Sequence, residues 1–331
     1  MLKFDEQEQI ASVRGALALR PQIEEIVDAA WDAGVKNLCW LGIGGTWASA
    51  MQAVCHMKER SALEVFSINA AEYLTTGDRR IGKGTFLVFS SVTGTTSEIV
   101  QAVEKAKVAG AKVLGFVDTE GTLLAKAADI CIHYPKNEQL KFFMVADRFL
   151  CREGVLAEYE AMYAQFDRAL PEALAGVEKA ADAFGAAFAE RHMNDKLHYF
   201  VGAGALYGST YSYAMCYWEE MHWMRTKSIH AAEFFHGMLE IVDEDTPVTV
   251  FVGEDSQRTL SERVVRFLKK VNRNFTVIDS RDYALPGIDD VYRYGVSHLV
   301  THAVTNRIDA HLEALSGHDM EIRRYYRKVE Y

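Results

Sequence analysis

The sequence predicts an α/β protein whose two halves each form a parallel β-sheet flanked by helices. In the first half, apolar runs of strand length alternate with segments whose apolar residues recur at helical spacing. Parallel strands need long crossover connections, and helices are the usual crossovers. The predicted strands of this half are NLCWLG, LEVFSI, TFLVFS, KVLGFV and DICIHY, and its clearest helices cover residues 47–59 and 97–109.

The second half repeats the pattern of the first. Its predicted strands are KLHYFVG, TPVTVFVG and FTVIDS, with a long helix that ends near Arg225 and another helix over 256–271. The segment NLCWLGIGGTWASAMQAV resembles KLHYFVGAGALYGSTYSYAM, because each joins an apolar strand, a glycine-rich turn and a helix rich in small residues. This internal repeat predicts two similar subdomains in tandem.

Residues 138–192 separate the two halves and contain no convincing strand. They are rich in Ala, Glu and Leu, and Pro171 is predicted to separate two helical stretches. We therefore expect a first subdomain over 20–160, a helical connection over 161–195, and a second subdomain with a C-terminal tail over 196–331.

Composition and charge argue against several classes of protein. The chain has 331 residues and a formal net charge of −10, whereas a nucleic-acid partner requires a basic face. No apolar stretch approaches the ~20 residues that cross a bilayer, and MLKFDEQEQI lacks the features of a secretory signal. We therefore expect a cytoplasmic protein with no membrane partner. The five cysteines are scattered without a Cys-x-x-Cys pair, which favours reduced thiols.

A turn rich in hydroxyl groups follows the third predicted strand. The stretch SSVTGTTSE, residues 90–98, places six Ser and Thr residues around Gly94 at a strand-to-helix turn. A helix N-terminus exposes unpaired N–H groups and partial positive charge, so this turn is well suited to a phosphate. The alternative is a helix cap that Glu98 completes as a capping box, but a cap needs only one or two hydroxyls.

Two other turns differ from SSVTGTTSE: the glycine-rich turn after the first predicted strand, and the turn of the second half that occupies the equivalent place in the repeat. In LGIGGTWASA, Trp47 stands where a dinucleotide-binding turn has its third glycine, and no GK[ST] ending of a P-loop follows. The second half has GEDSQRTLSE where the first has SSVTGTTSE, so its turn is acidic and predicted to repel an anion. Glu254 and Asp255 in this turn are candidates for contact with a cationic substrate group.

Candidate proton-transfer groups are concentrated in WEEMHWMRTKSIHAAEFFHG. Six carboxylate or imidazole residues fall within 18 positions, and these are the commonest groups for acid–base catalysis: Glu219, Glu220, His222, His230, Glu233 and His236. The alternative is an amphipathic helix with solvated carboxylates. His298 and His302 have helical spacing, but HLVTH lacks the glutamate of a zinc motif, so we predict no metal site.

Together these motifs resemble the sugar isomerase (SIS) superfamily over essentially the whole chain. The resemblance implies two tandem SIS subdomains, each a flavodoxin-like or Rossmann-like three-layer sandwich. Family members bind a sugar phosphate with a C-G-T-S turn and an S-x-S-G-x-T turn, which correspond here to residues 43–46 and 91–96. The phosphate-binding residues that the resemblance implies are Gly44, Gly45, Thr46, Ser91, Thr93 and Thr96.

The same family places a catalytic Glu 16 residues before the His of an E-x-x-H-G segment, the spacing of Glu220 and His236 in this chain. In the relatives that His comes from the neighbouring subunit, so the resemblance implies a homodimer whose His236 completes the neighbour's site. The sequence lacks the N-terminal glutaminase domain and Cys nucleophile of glucosamine-6-phosphate synthase. We therefore do not expect synthesis of glucosamine 6-phosphate from glutamine.

The closer resemblance is to bacterial deglycases of 6-phosphorylated Amadori compounds, which share the EF-x-HG segment and an ending similar to IRRYYRKVEY, residues 322–331. It implies a hydrolase that cleaves the C–N bond of fructoselysine 6-phosphate by Glu/His acid–base catalysis through an enolamine, with no cofactor. The acidic charge of the chain is compatible with a cationic lysine on the sugar. Lys328 corresponds to a C-terminal lysine that reaches the open-chain sugar in related isomerases.

Three alternatives remain open at this stage. One is a deglycase for the isomeric glucoselysine 6-phosphate or for another amino-acid conjugate. A second is a phosphosugar aldose–ketose isomerase, since no amine-specific motif is evident. The third is a phosphosugar-sensing SIS module without activity, although such a module needs no Glu and His pair at catalytic spacing.

Overall fold

Parallel sheets form in both halves of the chain, as the alternation of apolar runs predicts. The computed structural model describes residues 1–326 and 328–330. Its contacts divide the chain into two units. The N-terminal unit comprises Gln7–Pro171 and Gly287–Gly295, and the C-terminal unit comprises Met1–Glu6, Glu172–Pro286 and the residues from Val296 onward. The predicted α/β fold with two parallel sheets is thus confirmed.

Five parallel strands form the sheet of the N-terminal unit, in the order β2-β1-β3-β4-β5. Every residue of β1 and β3 is buried, because helices cover both faces of a parallel sheet. The two strands are neighbours, with Leu41 opposite Phe89. The strands are β1 (Asn37–Gly42), β2 (Glu64–Asn69), β3 (Thr85–Ser91), β4 (Lys112–Val117) and β5 (Ile130–Ile132).

The helices of this unit include the crossovers that join its parallel strands. Their apolar side chains pack against the sheet, as Ile99, Val103 and Ala106 do in the core beside β3. The helices are α1 (Glu6–Leu17), α2 (Arg20–Asp32), α3 (Gly45–Met57), α4 (Ala70–Thr76), α5 (Ser97–Val108), α6 (Leu123–Ala127) and α7 (Glu138–Arg152).

The segment predicted as a helical connection contains one long helix, α8 (Tyr159–His192). Pro171 lies inside this helix and does not end it, so the predicted break there is wrong. Proline removes one backbone hydrogen bond from a helix, but the buried flanks Leu170, Ala173 and Leu174 hold the flanking turns in place. The boundaries of the predicted subdomains stay a prediction.

Four parallel strands form the sheet of the C-terminal unit, in the order β7-β6-β8-β9. The strands are β6 (His198–Gly202), β7 (Thr226–His230), β8 (Val248–Val252) and β9 (Phe275–Asp279), and the helices after α8 are α9 (Ala205–Ser212), α10 (Arg258–Val271) and α11 (Ser297–Ser316). Sequence analysis missed β7, because TKSIH is a polar run on the edge of the sheet and only partly buried.

Two further expectations concern thiols and membrane segments. All five cysteines are free thiols, and burial raises the pKa of the Cys39 thiol. Among the described residues, none of the helices combines the length and apolar character that crossing a bilayer requires.

Candidate functional site

The strand order of the N-terminal unit predicts a ligand site at one edge of its sheet. From β1, the chain winds outward in one direction to β2 and in the other direction to β3 and β4, so the winding reverses between β1 and β3. Ligands of open α/β sheets bind beyond the carboxyl ends of the strands at such a switch point. The two turns that the resemblance assigns to phosphate follow β1 and β3 and therefore flank this position.

The turn from β1 into α3 is shaped by two glycines. Gly44 occupies the N-cap position with φ 59°, a left-handed value that favours glycine. A Cβ on Gly42 would stand 2.5 Å from the backbone nitrogen of Trp47, so the helix packs directly on the strand end. The Thr46 hydroxyl lies 3.0 Å from both the N–H and the carbonyl of Ile43, and it stabilises the turn.

The turn from β3 into α5 holds the cluster of hydroxyl groups. Ser91 Oγ accepts a hydrogen bond from the Gly94 N–H at 3.0 Å. Gly94 has φ +64°, and a Cβ there would collide with the Thr122 hydroxyl, so the turn requires glycine. Thr96 occupies the N-cap position of α5, but its side chain makes no capping hydrogen bond. Capping therefore does not explain why this hydroxyl is present.

All six predicted phosphate-binding residues lie on these two neighbouring turns. The sequence analysis did not single out Glu138 at the start of α7, whose carboxyl accepts hydrogen bonds from the hydroxyls of Ser49 and Ser90. Burial, the largest influence, raises the pKa of Glu138. Lys141, one turn further along α7, is fully buried with its ammonium 3.8 Å from Asp118. A carboxyl group thus lies beside the turn that follows β3. No local sequence motif predicts this placement.

In the C-terminal unit, side chains of the protein itself accept hydrogen bonds from the corresponding turn. Gly204 has φ 63° and begins α9, as Gly44 begins α3. Here the Ala205 N–H donates to Asp255 Oδ2 at 2.8 Å, and the Gly204 N–H donates to the Gln257 side-chain carbonyl at 3.3 Å. The side chain of Glu254 is only 7% exposed and accepts from the Ser280 hydroxyl at 2.9 Å. Both carboxylates therefore accept hydrogen bonds within the C-terminal unit, and the contact of Glu254 and Asp255 with a cationic substrate group stays a prediction.

Glu220 lies at the end of an unusual helical segment. The predicted helix to Arg225 ends earlier: α9 continues into a π-helix over Tyr213–Glu219, and Glu220 is its C-terminal cap. Such π-helical turns are rare and are frequently found at functional sites. The Glu220 side chain is 43% exposed, and its Oε1 accepts from Arg323 Nε at 2.8 Å. Glu220 lines a cavity of about 590 Å³, a volume suited to a small-molecule ligand.

Buried side chains fix the turn that follows Glu220. His222 Nε2 lies 3.0 Å from Asp309 Oδ1, and the Tyr213 hydroxyl donates to the same carboxylate oxygen at 3.1 Å. Burial raises the pKa of Asp309, and the contact with His222 opposes this increase. Neighbouring Glu219 accepts a hydrogen bond from the Thr226 hydroxyl at 2.7 Å. Glu220 is therefore presented to the cavity by a well-anchored backbone.

His236 lies elsewhere in the same unit. It ends a short 3₁₀ helix, Phe234–His236, and its side chain is exposed. Glu220 precedes the amino end of β7 and His236 follows its carboxyl end, and the five residues of that strand span about 13 Å. Along the chain, the two predicted catalytic residues thus flank β7.

The C-terminal segment contributes to the surroundings of Glu220. The Lys328 ammonium donates to the Arg323 carbonyl, which keeps this predicted substrate-binding lysine close to the cavity. Two residues of the family-like ending, Arg327 and Tyr331, lie outside the described residues.

One group of side chains in the C-terminal unit has the composition of a metal site. The ligand atoms of His192, Asp195 and His198 lie within 4.8 Å of one another. Each Nδ1 of the two histidines is 2.8 Å from Asp195 Oδ2, which is a hydrogen-bond distance. The Thr249 hydroxyl is 2.8 Å from His198 Nε2. These contacts identify the cluster as a buried hydrogen-bond network that stabilises the unit.

Comparison with known proteins connects this geometry to a family. Residues 33–147, which include both hydroxyl-bearing turns, match the SIS domain model. The chain is 29% identical to fructosamine deglycase FrlB of Bacillus subtilis (strain 168) over 90% of its own length and 93% of the relative. It is 25% identical to fructoselysine 6-phosphate deglycase of Escherichia coli (strain K12), covering 78% of this chain and 77% of the relative.

A solved structure supports the same relationship. A crystal structure of a Bacillus subtilis protein, provisionally assigned as a phosphosugar isomerase, superposes with a TM-score of 0.86 and 25% identity. The alignment covers 98% of this chain and 100% of the other. The chain therefore contains a SIS domain over residues 33–147 and resembles the fructosamine and fructoselysine 6-phosphate deglycases.

Proposed function

We propose that this protein is a deglycase that hydrolyses a 6-phosphorylated ketosamine to glucose 6-phosphate and a free amine. The observation that carries the proposal is the pair of turns at the switch point of the N-terminal sheet, with hydroxyls and helix N-termini on both sides. This arrangement is chemically suited to the phosphate of a sugar. The names of the similar curated proteins supply the ketosamine class.

The phosphate would be held by backbone N–H groups at the start of α3 and α5 and by nearby hydroxyls. The residues proposed for this role are Gly44, Gly45, Thr46, Ser91, Thr93 and Thr96. Glycine at positions 44 and 94 lets the backbone adopt left-handed conformations and approach the ligand closely. Thr46 would contribute mainly by shaping its turn, since its hydroxyl already contacts Ile43.

Glu220 and His236 would carry the acid–base chemistry. His236 assists opening of the sugar ring, and Glu220 then removes a proton from C1 to give an enolamine. Return of a proton at C2 gives an aldimine, and addition of water releases glucose 6-phosphate and the amine. The substrate's own nitrogen stabilises the intermediate, so the proposed route includes no cofactor or metal.

The two acid–base groups would come from different copies of the chain. Support for this comes from the family resemblance, in which the histidine belongs to the neighbouring subunit, and from the exposure of His236. We therefore propose a homodimer in which His236 of one copy completes the site around Glu220 of the other.

The test is an incubation of the purified protein with fructoselysine 6-phosphate. Glucose 6-phosphate is followed with a coupled dehydrogenase and free lysine by chromatography, and both should appear in equal amounts. Glu220→Gln should slow their release by about 10²–10⁴-fold, whereas Glu190→Gln, a change at an exposed position on α8, should leave it intact. Interconversion of aldose and ketose phosphates without amine release would instead indicate an isomerase, and tight binding without turnover would indicate a sensing module.

A further inference from the structure

The cavity beside Glu220 carries more positive than negative charge. Three arginines line it, Arg225, Arg323 and Arg324, together with Glu219 and Glu220. A sugar hydroxyl does not need a guanidinium group, whereas a carboxylate or phosphate pairs with it through two parallel hydrogen bonds. The phosphate has its own candidate turns in the N-terminal unit, so these arginines point to a second anionic group on the ligand.

Arg323 is held in a defined position. Its Nε donates to Glu220 Oε1 at 2.8 Å, and its Nη1 donates to the Met320 carbonyl. Its side chain is 21% exposed, so part of the guanidinium remains accessible from the cavity. Because the guanidinium touches the carboxylate proposed to act at C1, it lies within a few bond lengths of any group attached to the substrate nitrogen.

Arg324 is positioned by aromatic stacking. Its guanidinium lies 4.3 Å from the ring centroid of Trp223, within the range of a cation–π interaction. The Trp223 ring in turn packs on His318 at a centroid distance of 4.1 Å. Trp223 also has φ 58°, a left-handed value that is uncommon for a bulky residue and is associated with functional sites. The local backbone thus presents an aromatic platform for this arginine.

We propose that Arg323 and Arg324 bind the carboxylate of an amino acid attached to the sugar. The inference rests on the proposed deglycase function and specifies its substrate as a conjugate with an acidic group near the amine. In a conjugate formed through an α-amino group, that carboxylate is three bonds from C1, where Glu220 acts.

A matched pair of substrates tests this subsite. The 6-phosphofructosyl conjugates of glycine and of methylamine differ by the carboxylate alone. We expect wild-type protein to prefer the glycine conjugate by about 10-fold or more in kcat/KM, the usual effect of hydrogen bonds to a charged group. Arg323→Gln should remove most of this preference by lowering kcat/KM for the glycine conjugate more than for the methylamine conjugate, because loss of the Glu220 contact affects both substrates and loss of the carboxylate contact affects only the glycine conjugate.

Three further variants keep the test decisive. Arg323→Lys retains the charge without the two-pronged geometry and should show an intermediate preference. Arg324→Gln probes the second arginine independently, and Arg273→Gln, whose side chain is 81% exposed, should behave as wild type. If Arg323→Gln lowers kcat/KM for both conjugates equally, or if wild type shows no preference, the subsite is refuted and the deglycase function stands. If wild type cleaves neither conjugate nor fructoselysine 6-phosphate, the deglycase function fails, and the inference fails with it.

Discussion

The glycine-rich turns of the two units share a backbone conformation but differ in the side chains that face the N–H groups of the following helix. Gly44 (φ 59°, ψ −130°) and Gly204 (φ 63°, ψ −144°) both begin a helix after the first strand of their sheets. Beside Gly204, the carboxylate of Asp255 accepts the Ala205 N–H. In the N-terminal unit the facing turn, residues 92–96, contains only Val, Thr and Gly.

This difference shows how a repeated scaffold can diverge in charge without diverging in fold. A helix N-terminus favours a negative group whether that group belongs to a ligand or to the protein. In the C-terminal unit the protein supplies the negative group itself. We propose that the N-terminal unit binds an external phosphate and the C-terminal unit contributes the proton-transfer groups.

The largest effect should come from Glu220. Glu220→Gln removes the proposed base while preserving the shape of the side chain, so kcat should fall by about 10²–10⁴ with KM little changed. Steady-state kinetics with a 6-phosphorylated ketosamine measure both constants. A kcat within about threefold of wild type would exclude Glu220 from the proton transfer.

Substitutions in the turn after β3 should instead affect binding. Ser91→Ala combined with Thr96→Val removes two hydroxyls proposed to contact the phosphate, so KM should rise by about 10- to 100-fold. Ser97→Ala, one residue further along, is the control because its hydroxyl accepts a hydrogen bond from Gln101 on the helix surface. An unchanged KM in the double variant would remove the phosphate site from this turn.

Acid should destabilise the C-terminal unit through His198. Burial lowers the pKa of this imidazole from 6.5 to about 4, although its hydrogen bond to Asp195 acts in the opposite direction. Between these values the unfolded chain binds a proton that the folded chain does not, so stability is full above about pH 6.5 and is lost as pH falls toward 4. At pH 5 the loss should be about 2 kcal/mol relative to pH 7.

Hydrogen exchange measured at pH 7 and pH 5 follows this effect in each unit separately. Strands β6 and β8 should lose protection first. In His198→Gln, the number of protons taken up on unfolding between pH 7 and pH 5 should be lower by about one. An identical pH dependence in the variant would show that His198 is not the responsible group.

The smallest effect should come from Asp255, and it tests the comparison most directly. Asp255→Ser leaves the Ala205 N–H without its carboxylate partner and should lower stability by about 1 kcal/mol. Inorganic phosphate should restore part of this lost stability in the variant. It should stabilise the wild-type protein by a smaller amount, because Asp255 already accepts the Ala205 N–H there. Thermal unfolding with and without phosphate measures this, with Asp245→Ser, a change at an exposed position, as control. Equal responses to phosphate would show that the turn around Gly204 has no remaining affinity for anions.

Elements with strong local patterns were predicted well from the sequence. β1 and β3 are continuous apolar runs, and each ends at a turn whose glycine is recognisable from its neighbours. The missed elements lack such patterns. β7 is short and polar, the π-helix over residues 213–219 has no characteristic composition, and Pro171 is accommodated inside α8.

The sequence by itself determined that this protein is a repeated α/β chain with a hydroxyl-rich turn and a Glu and His at a family spacing. These features depend on residues close together in the chain, where periodicity and turn chemistry are decisive. Only the tertiary structure decided three contacts. Asp255 accepts a hydrogen bond from the turn at Gly204, Glu138 lies beside the turn that follows β3, and Arg323 pairs with Glu220. The physical reason is that each of these contacts joins residues about 50 to 100 positions apart, and only the folded sheets bring such side chains within hydrogen-bond distance.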